Sequence, residues 1–74
     1  MKPDMAKVEE TVLALLALFA FDERVSWKTY DFDVMGSLYD RGFIGNPRNK
    51  NKSVVLTDSG LQRGRELAAA LFAS

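Results

Sequence analysis

The chain has 74 residues, of which 47% are hydrophobic and 27% charged, and its ten basic and ten acidic residues give zero net charge. These values are typical of a globular protein, and the length predicts one domain, residues 1–74, with a small core. The sequence contains no Cys and no His, which excludes disulfides, thiolate chemistry, the usual zinc ligands and both Ser-His and Cys-His nucleophile pairs. We therefore expect no catalytic activity, no cofactor and no metal, and the lack of disulfides favours a cytoplasmic location.

The first predicted element is an apolar helix. Asp4 is a good N-cap, because its carboxylate can accept hydrogen bonds from the free N–H groups of the first turn. Apolar residues then recur at helical spacing, namely Met5, Val8, Val12, Leu15, Leu16 and Phe19. The longest apolar run, residues 12–21, is about half of the ~20 residues that a membrane helix needs. Acidic Glu9 and Glu10 precede it, unlike the basic start of a signal peptide, so we expect a buried helix and no membrane contact.

A short aromatic segment, "VSWKTYDFD", separates this helix from the next. Residues 26–30 leave room for about one helical turn, so we expect a short aromatic turn here. Asp31 is a good N-cap for the second helix, with Asp33 in its first turn, and Gly42 provides the stop after Arg41. These capping roles explain both aspartates without a calcium site, which would need further oxygen ligands.

Five aromatic residues cluster around the second helix. They could form a stacking surface for bases, as in proteins that bind single strands, but we expect them to fill the core, because aromatic side chains carry the most area per residue. Trp27 and Tyr30 are the two that we expect to stay partly exposed. The five residues are Trp27, Tyr30, Phe32, Tyr39 and Phe43.

The C-terminal half predicts a two-stranded wing hairpin followed by a helix. Residues 43–44 and 54–56 are the expected strands, and the Gly, Asn and Pro residues between them are typical of a turn. Thr57 is expected to cap the last helix. Gly64 costs roughly 1 kcal/mol in a helix interior, so it predicts the close approach of another backbone.

The stretch "LYDRGFI", followed after a loop by "KSVVLTDSG", resembles the signature of bacterial winged-helix repressors. The longer segment of residues 27–60, together with the apolar first helix, resembles a family of short bacterial proteins of unknown function, which brings no activity with it. The resemblance implies an α+β, mostly helical, winged-helix-like fold: helix, short aromatic turn, helix, wing hairpin and C-terminal helix. The helix that normally precedes the recognition helix is abbreviated here, which argues against standard major-groove docking.

The charges are unevenly spread along the chain. Residues 1–40 hold eight acidic and four basic residues, and residues 41–74 hold six basic and two acidic ones. Such asymmetry is informative about partners. The bases of the predicted wing and the last helix can grip phosphates, whereas the alternative is that they only keep a hairpin tip soluble. They are Arg48, Lys50, Lys52, Arg63 and Arg65.

The second helix argues in the opposite direction. Its expected outward positions are Asp33, Gly36, Ser37, Asp40 and Arg41. This face is more acidic than basic, and carboxylates are repelled by phosphates. The sequence therefore predicts a DNA-binding regulatory module that uses its wing, or alternatively a winged-helix protein-interaction module without nucleic-acid binding. The second half of the first helix is apolar all round and must be covered on every side, so we also expect a homodimer. The expected interface residues are Leu13, Ala17, Ala20, Leu71 and Phe72.

Overall fold

The structure, a computed structural model, describes residues 2–73, and it contains three helices and one small antiparallel sheet in that part of the chain. The elements in chain order are α1 Met5–Leu18, β1 Val25–Trp27, α2 Phe32–Asp40, β2 Ser53–Val55 and α3 Asp58–Phe72. This α+β, mostly helical architecture confirms the expected fold class and is consistent with a winged arrangement. Within residues 2–73 no helix has the length and apolar character needed to cross a membrane.

Each helix begins at the N-cap that the sequence predicts. The carboxylates of Asp4 and Asp31 accept hydrogen bonds from first-turn backbone N–H groups at 3.1 to 3.3 Å. Thr57 Oγ1 accepts one from Gly60 N at 3.0 Å. Gly42 follows the end of α2 with φ of +79°, a conformation that glycine adopts without a steric penalty.

The sheet differs from the expected hairpin. β1 pairs with β2 in antiparallel register, with Ser26 opposite Val54, so the segment predicted as an aromatic turn supplies a strand. Residues 43–44 do not form a strand, because only Ile44 makes a single bridge, to Leu56. Pro47 has no N–H to donate and follows Ile44 too closely for a longer ladder to form.

The core lies on the inner face of α1, where the other elements pack. Gly64 of α3 lies directly on α1, since an added Cβ would be 2.6 Å from Ala17 Cβ and 2.9 Å from the Leu13 carbonyl oxygen. The predicted close backbone approach at Gly64 is therefore confirmed. Leu13 is consequently buried within its own chain, which corrects its assignment to a dimer interface. The largest fully buried side chains are Leu13, Leu16, Met35, Leu38, Ile44 and Leu56.

The segment between residues 57 and 60 joins α3 to the end of α2. Thr57 Oγ1 donates a hydrogen bond to the Gly42 carbonyl at 2.7 Å, and Ser59 Oγ donates to the same oxygen at 3.3 Å. A Cβ on Gly60 would overlap the carbonyl of Phe43, so only glycine fits at this position. The "LTDSG" motif is thus explained by the packing of the fold.

Candidate nucleic-acid interface

The second part of the connection between α2 and β2, residues 45–52, is here called the basic loop. Lys28, which directly follows β1, donates hydrogen bonds to this loop. Its Nζ donates to the Pro47 carbonyl at 2.7 Å, to Asn49 Oδ1 at 2.7 Å and to the Asn49 carbonyl at 3.2 Å. The backbone N–H of Lys28 also donates to the Lys52 carbonyl at 2.9 Å. One lysine therefore fixes the loop by several hydrogen bonds.

Asparagine side chains make further hydrogen bonds within the basic loop. Asn46 Oδ1 accepts from Arg48 N, and Asn49 Nδ2 donates to the Asn46 carbonyl, both at 2.9 Å. Asn49 Oδ1 also accepts from Asn51 N at 2.9 Å. Such side-chain-to-backbone bonds replace the hydrogen bonds of a regular hairpin. The loop therefore has a defined shape without strand pairing at its tip.

The basic loop lies against the outward side of α2. Pro47 is buried, and the Arg48 guanidinium carbon lies 5.6 Å from the centre of the Phe32 ring, within the range of a cation–π contact. A cleft of about 200 Å³ separates the loop from α2, lined by Gly36, Tyr39, Asp40, Asn46, Pro47 and Arg48. The loop consequently covers part of the surface that a recognition helix would present to DNA.

The remaining outward surface of α2 is acidic and aromatic. Ser37 Oγ donates to Glu9 Oε1 at 2.7 Å, and Arg41 Nη1 lies 3.3 Å from the same oxygen, so both residues face α1. The sequence placed these two on the outer face, and the Glu9 contacts correct that assignment. Asp33 and Asp40 are exposed as predicted.

The ion pairs of the described residues involve arginines outside the basic loop. Three arginines form ion pairs within the chain: Arg24 with Asp58 at 2.7 Å, Arg41 with Glu9 at 3.3 Å and Arg63 with Glu66 at 3.9 Å. In contrast, no carboxylate of residues 2–73 lies at salt-bridge distance from Arg48, Lys50 or Lys52. The basic loop therefore carries three cations whose charge is not neutralised by the described part of the chain.

The structure separates the bases that the sequence grouped together. Arg48, Lys50 and Lys52 share the basic loop, whereas Arg63 is paired on its own helix. Arg65 lines a groove with Leu18 and Phe72 that no residue of the basic loop lines. A contribution of Arg63 and Arg65 to the basic surface stays a prediction, and the candidate interface described here consists of the loop.

The aromatic residues are more exposed than the sequence suggested. Tyr30 and Phe43 pack on the core, but Trp27, Phe32 and Tyr39 have exposed fractions of 54%, 55% and 43%. The prediction of a core position is thus wrong for Phe32 and Tyr39, because aliphatic side chains of α1 and α2 already fill the space, whereas the partial exposure expected for Trp27 is confirmed. The Trp27 ring packs against Phe21 in a tilted arrangement, with 4.9 Å between ring centres and 40° between ring planes. The alternation in "VSW" was the available signal for an outward-facing tryptophan, but it spans only three residues.

Residues 4–74 match a protein family described as a domain of unknown function, DUF6429. The chain belongs to this family. A relative from Sinorhizobium fredii (strain NBRC 101917 / NGR234), the uncharacterized protein y4hR, is 47% identical over 72 residues, which cover 97% of each chain. No solved structure matches the chain significantly. The family membership expected from residues 27–60 is confirmed, and any functional argument depends on the geometry of the chain itself.

Proposed function

We propose that this protein is a small DNA-binding regulatory module of the winged-helix kind that acts as a homodimer in the cytoplasm. The observation that carries the proposal is the basic loop, where Arg48, Lys50 and Lys52 project from an ordered scaffold without carboxylate partners in residues 2–73. Phosphate contacts from Lys and Arg supply most sequence-independent affinity for DNA. The role is one of binding without catalysis.

The contact surface in this proposal is the loop and not α2. Asp33 and Asp40 remain exposed on α2, and they repel phosphates. Arg48 is fixed against Phe32, so its guanidinium loses little further freedom when it meets a phosphate. Lys50 and Lys52 are exposed. The loop therefore resembles a wing that holds the backbone of the duplex and reads few or no bases.

The number of free cations sets the expected salt dependence. Each phosphate contact contributes about −0.9 to the slope of log K against log salt concentration. The three loop cations of one chain therefore predict a slope of about −3, and the six of a dimer a slope of about −5. Both slopes are shallow compared with those of large repressors. A single chain should therefore bind DNA weakly, and two chains together should bind it more tightly.

Removal of two loop charges tests this proposal. In Lys50→Ala/Lys52→Ala the slope should become shallower by about 2 per bound chain, and the affinity for random duplex should fall at low salt. Fluorescence anisotropy of a labelled duplex, titrated at several salt concentrations, measures both quantities. The matched control is Lys2→Ala/Lys7→Ala, which changes the net charge equally at the N-terminal end of the described chain. Wild-type protein that does not bind duplex at low ionic strength overturns the proposal.

A second candidate function is a protein-interaction module without nucleic-acid binding. The outer side of the sheet supports it, because Trp27 and Val55 are each about half exposed there and Phe21 packs against Trp27. Exposed aromatic side chains are enriched at protein interfaces. This candidate predicts equal, negligible DNA binding by the wild type and both lysine variants, so the same titration separates the two functions.

A further inference from the structure

A second surface, at the C-terminal ends of α1 and α3, has features that neither the basic loop nor the sheet explains. The C-terminal ends of α1 and α3 diverge beyond their contact at Gly64 and leave an open groove of about 550 Å³. Alanine residues form most of its walls, and Leu18 and Phe72 at its sides are 53% and 45% exposed. Its lining consists of Ala17, Leu18, Ala20, Glu23, Arg65, Ala68, Ala69, Phe72 and Ala73.

One acidic and one basic residue lie in this otherwise apolar groove. Within residues 2–73 neither Glu23 nor Arg65 has an oppositely charged group at salt-bridge distance. They line the same groove from different elements, Glu23 from the turn after α1 and Arg65 from α3. The groove thus carries two opposite charges that the described chain does not bring together.

The turn that positions Glu23 is conformationally strained. Asp22 and Glu23 have φ of +48° and +72°, which non-glycine residues rarely adopt. The turn is closed by Phe21 and Val25, whose backbones exchange two hydrogen bonds of 2.7 and 3.0 Å. A left-handed non-glycine residue is energetically unfavourable and persists only where the surrounding structure maintains it. The fold therefore keeps a carboxylate at the groove despite this cost.

We propose that a second copy of this chain occupies the groove in a twofold-symmetric dimer, in which Glu23 of each chain pairs with Arg65 of the other. In an isologous interface residue i contacts j and j contacts i, so a groove with one acid and one base is complementary to itself. The alanine walls allow close approach, and Phe72 of each chain fills the groove of its partner. The inference rests on the homodimer of the proposed function and specifies its interface.

The exposed area of the chain agrees with such a dimer. A monomeric protein of 8.3 kDa is expected to expose about 4,600 Å². This chain exposes 5093 Å², an excess of roughly 500 Å², whereas a standard interface buries about 800 Å² per partner. The excess exposed area of the chain and the area that each partner buries in a standard interface are therefore of the same order.

Charge reversal in trans tests the proposed pairs. Glu23→Arg and Arg65→Glu each place like charges opposite one another in the homodimer, so each should weaken dimerisation at least ~tenfold. An equimolar mixture of the two variants forms heterodimers in which both positions again pair opposite charges, one pair as in the wild type and the other with reversed polarity. This mixture should dimerise nearly as well as the wild type. Sedimentation equilibrium or light scattering without DNA measures this. A mixture that stays monomeric, or single variants that dimerise normally, overturns the inference.

A pair of neighbouring alanines tests the location of the interface. Ala69 and Ala70 are both exposed on α3, but only Ala69 lines the groove. Ala69→Glu should therefore produce a folded monomer, and Ala70→Glu should leave the dimer intact. Equal effects of the two substitutions contradict the assignment, as does a monomeric wild type at ~100 μM, a concentration far above the Kd of standard interfaces.

The outcomes of these experiments are independent of DNA binding. A monomer whose DNA affinity depends on Lys50 and Lys52 overturns the dimer and its interface but leaves DNA binding through the basic loop in place. A dimer rescued in trans that binds no duplex overturns only the proposed function. Circular dichroism of each variant identifies a substitution that merely unfolds the chain.

Discussion

Gly36 and Gly64 show how the same residue type has opposite consequences at two helix positions. An added Cβ at Gly36 meets no atom within 4 Å, whereas one at Gly64 lies 2.6 Å from Ala17 Cβ. Both glycines lie inside helices, where glycine costs about 1 kcal/mol relative to alanine. Only at Gly64 does close packing against a neighbouring helix offset the lower helix propensity of glycine.

Alanine substitution should therefore change stability in opposite directions at these two positions. Gly64→Ala forces α1 and α3 apart and should lower the free energy of unfolding by about 1–3 kcal/mol. Gly36→Ala should raise it by up to about 1 kcal/mol, because helix propensity improves and nothing is displaced.

Urea denaturation at one fixed protein concentration measures both changes, since the stability of a dimer depends on concentration. Gly36→Ala serves as the matched control for any general effect of replacing a helical glycine. A stabilised Gly64→Ala variant contradicts the close contact between α1 and α3.

At the scale of elements, β1 and the basic loop form one unit. Lys28 ends the strand segment and donates its ammonium hydrogens to Pro47 and Asn49, so the position of β1 determines the shape of a loop about twenty residues later. Hydrogen bonds from a charged donor contribute more than neutral ones. The bases of the loop are therefore presented by tertiary contacts and not by a hairpin ladder.

Replacement of this lysine should loosen the loop selectively. Lys28→Met retains much of the apolar stem but removes the ammonium group, so unfolding should cost about 1–2 kcal/mol less and amides of residues 45–52 should exchange faster. Hydrogen exchange followed by mass spectrometry locates the effect.

The control for this change is Lys50→Met, the same substitution at an exposed position of the same loop. Its stability should stay within about 0.5 kcal/mol of the wild type. If both variants exchange equally fast, the hydrogen bonds of Lys28 do not organise the loop.

At the scale of the whole molecule, the two proposals are linked through mass action. A monomer presents three free loop cations and the proposed dimer presents six, so dimerisation doubles the number of phosphate contacts without any new residue. Two sites held on one assembly bind the same duplex more tightly than either site alone, provided that the geometry allows both to engage.

Loss of the dimer should therefore change the electrostatics of DNA binding. In Ala69→Glu the slope of log K against log salt should fall from about −5 toward about −3. Ala70→Glu carries the same added charge and should keep the wild-type slope, which separates dimerisation from net charge. Anisotropy titrations of both variants measure the slopes. An unchanged slope in a proven Ala69→Glu monomer shows that only one loop contacts the duplex.

The sequence by itself determined the features that depend on neighbouring residues along the chain. The N-caps at Asp4, Asp31 and Thr57 and the stop at Gly42 were all predicted, because capping and left-handed turns are local physical chemistry. The apolar periodicity located α1, and Gly64 predicted a close helix contact. The basic composition of residues 48–52 was equally visible without a structure.

Only the tertiary structure decided which strands pair, which aromatic residues are exposed and which bases remain free. β1 has three residues, too few for a periodic signal, and its strand state depends on pairing with Ser53–Val55. Phe32 and Tyr39, which the sequence assigned to the core, lie outside because aliphatic residues of distant segments fill it. Arg48, Lys50 and Lys52 are distinguished from the paired Arg24, Arg41 and Arg63 because ion pairs depend on distances in space, which spacing along the chain does not specify.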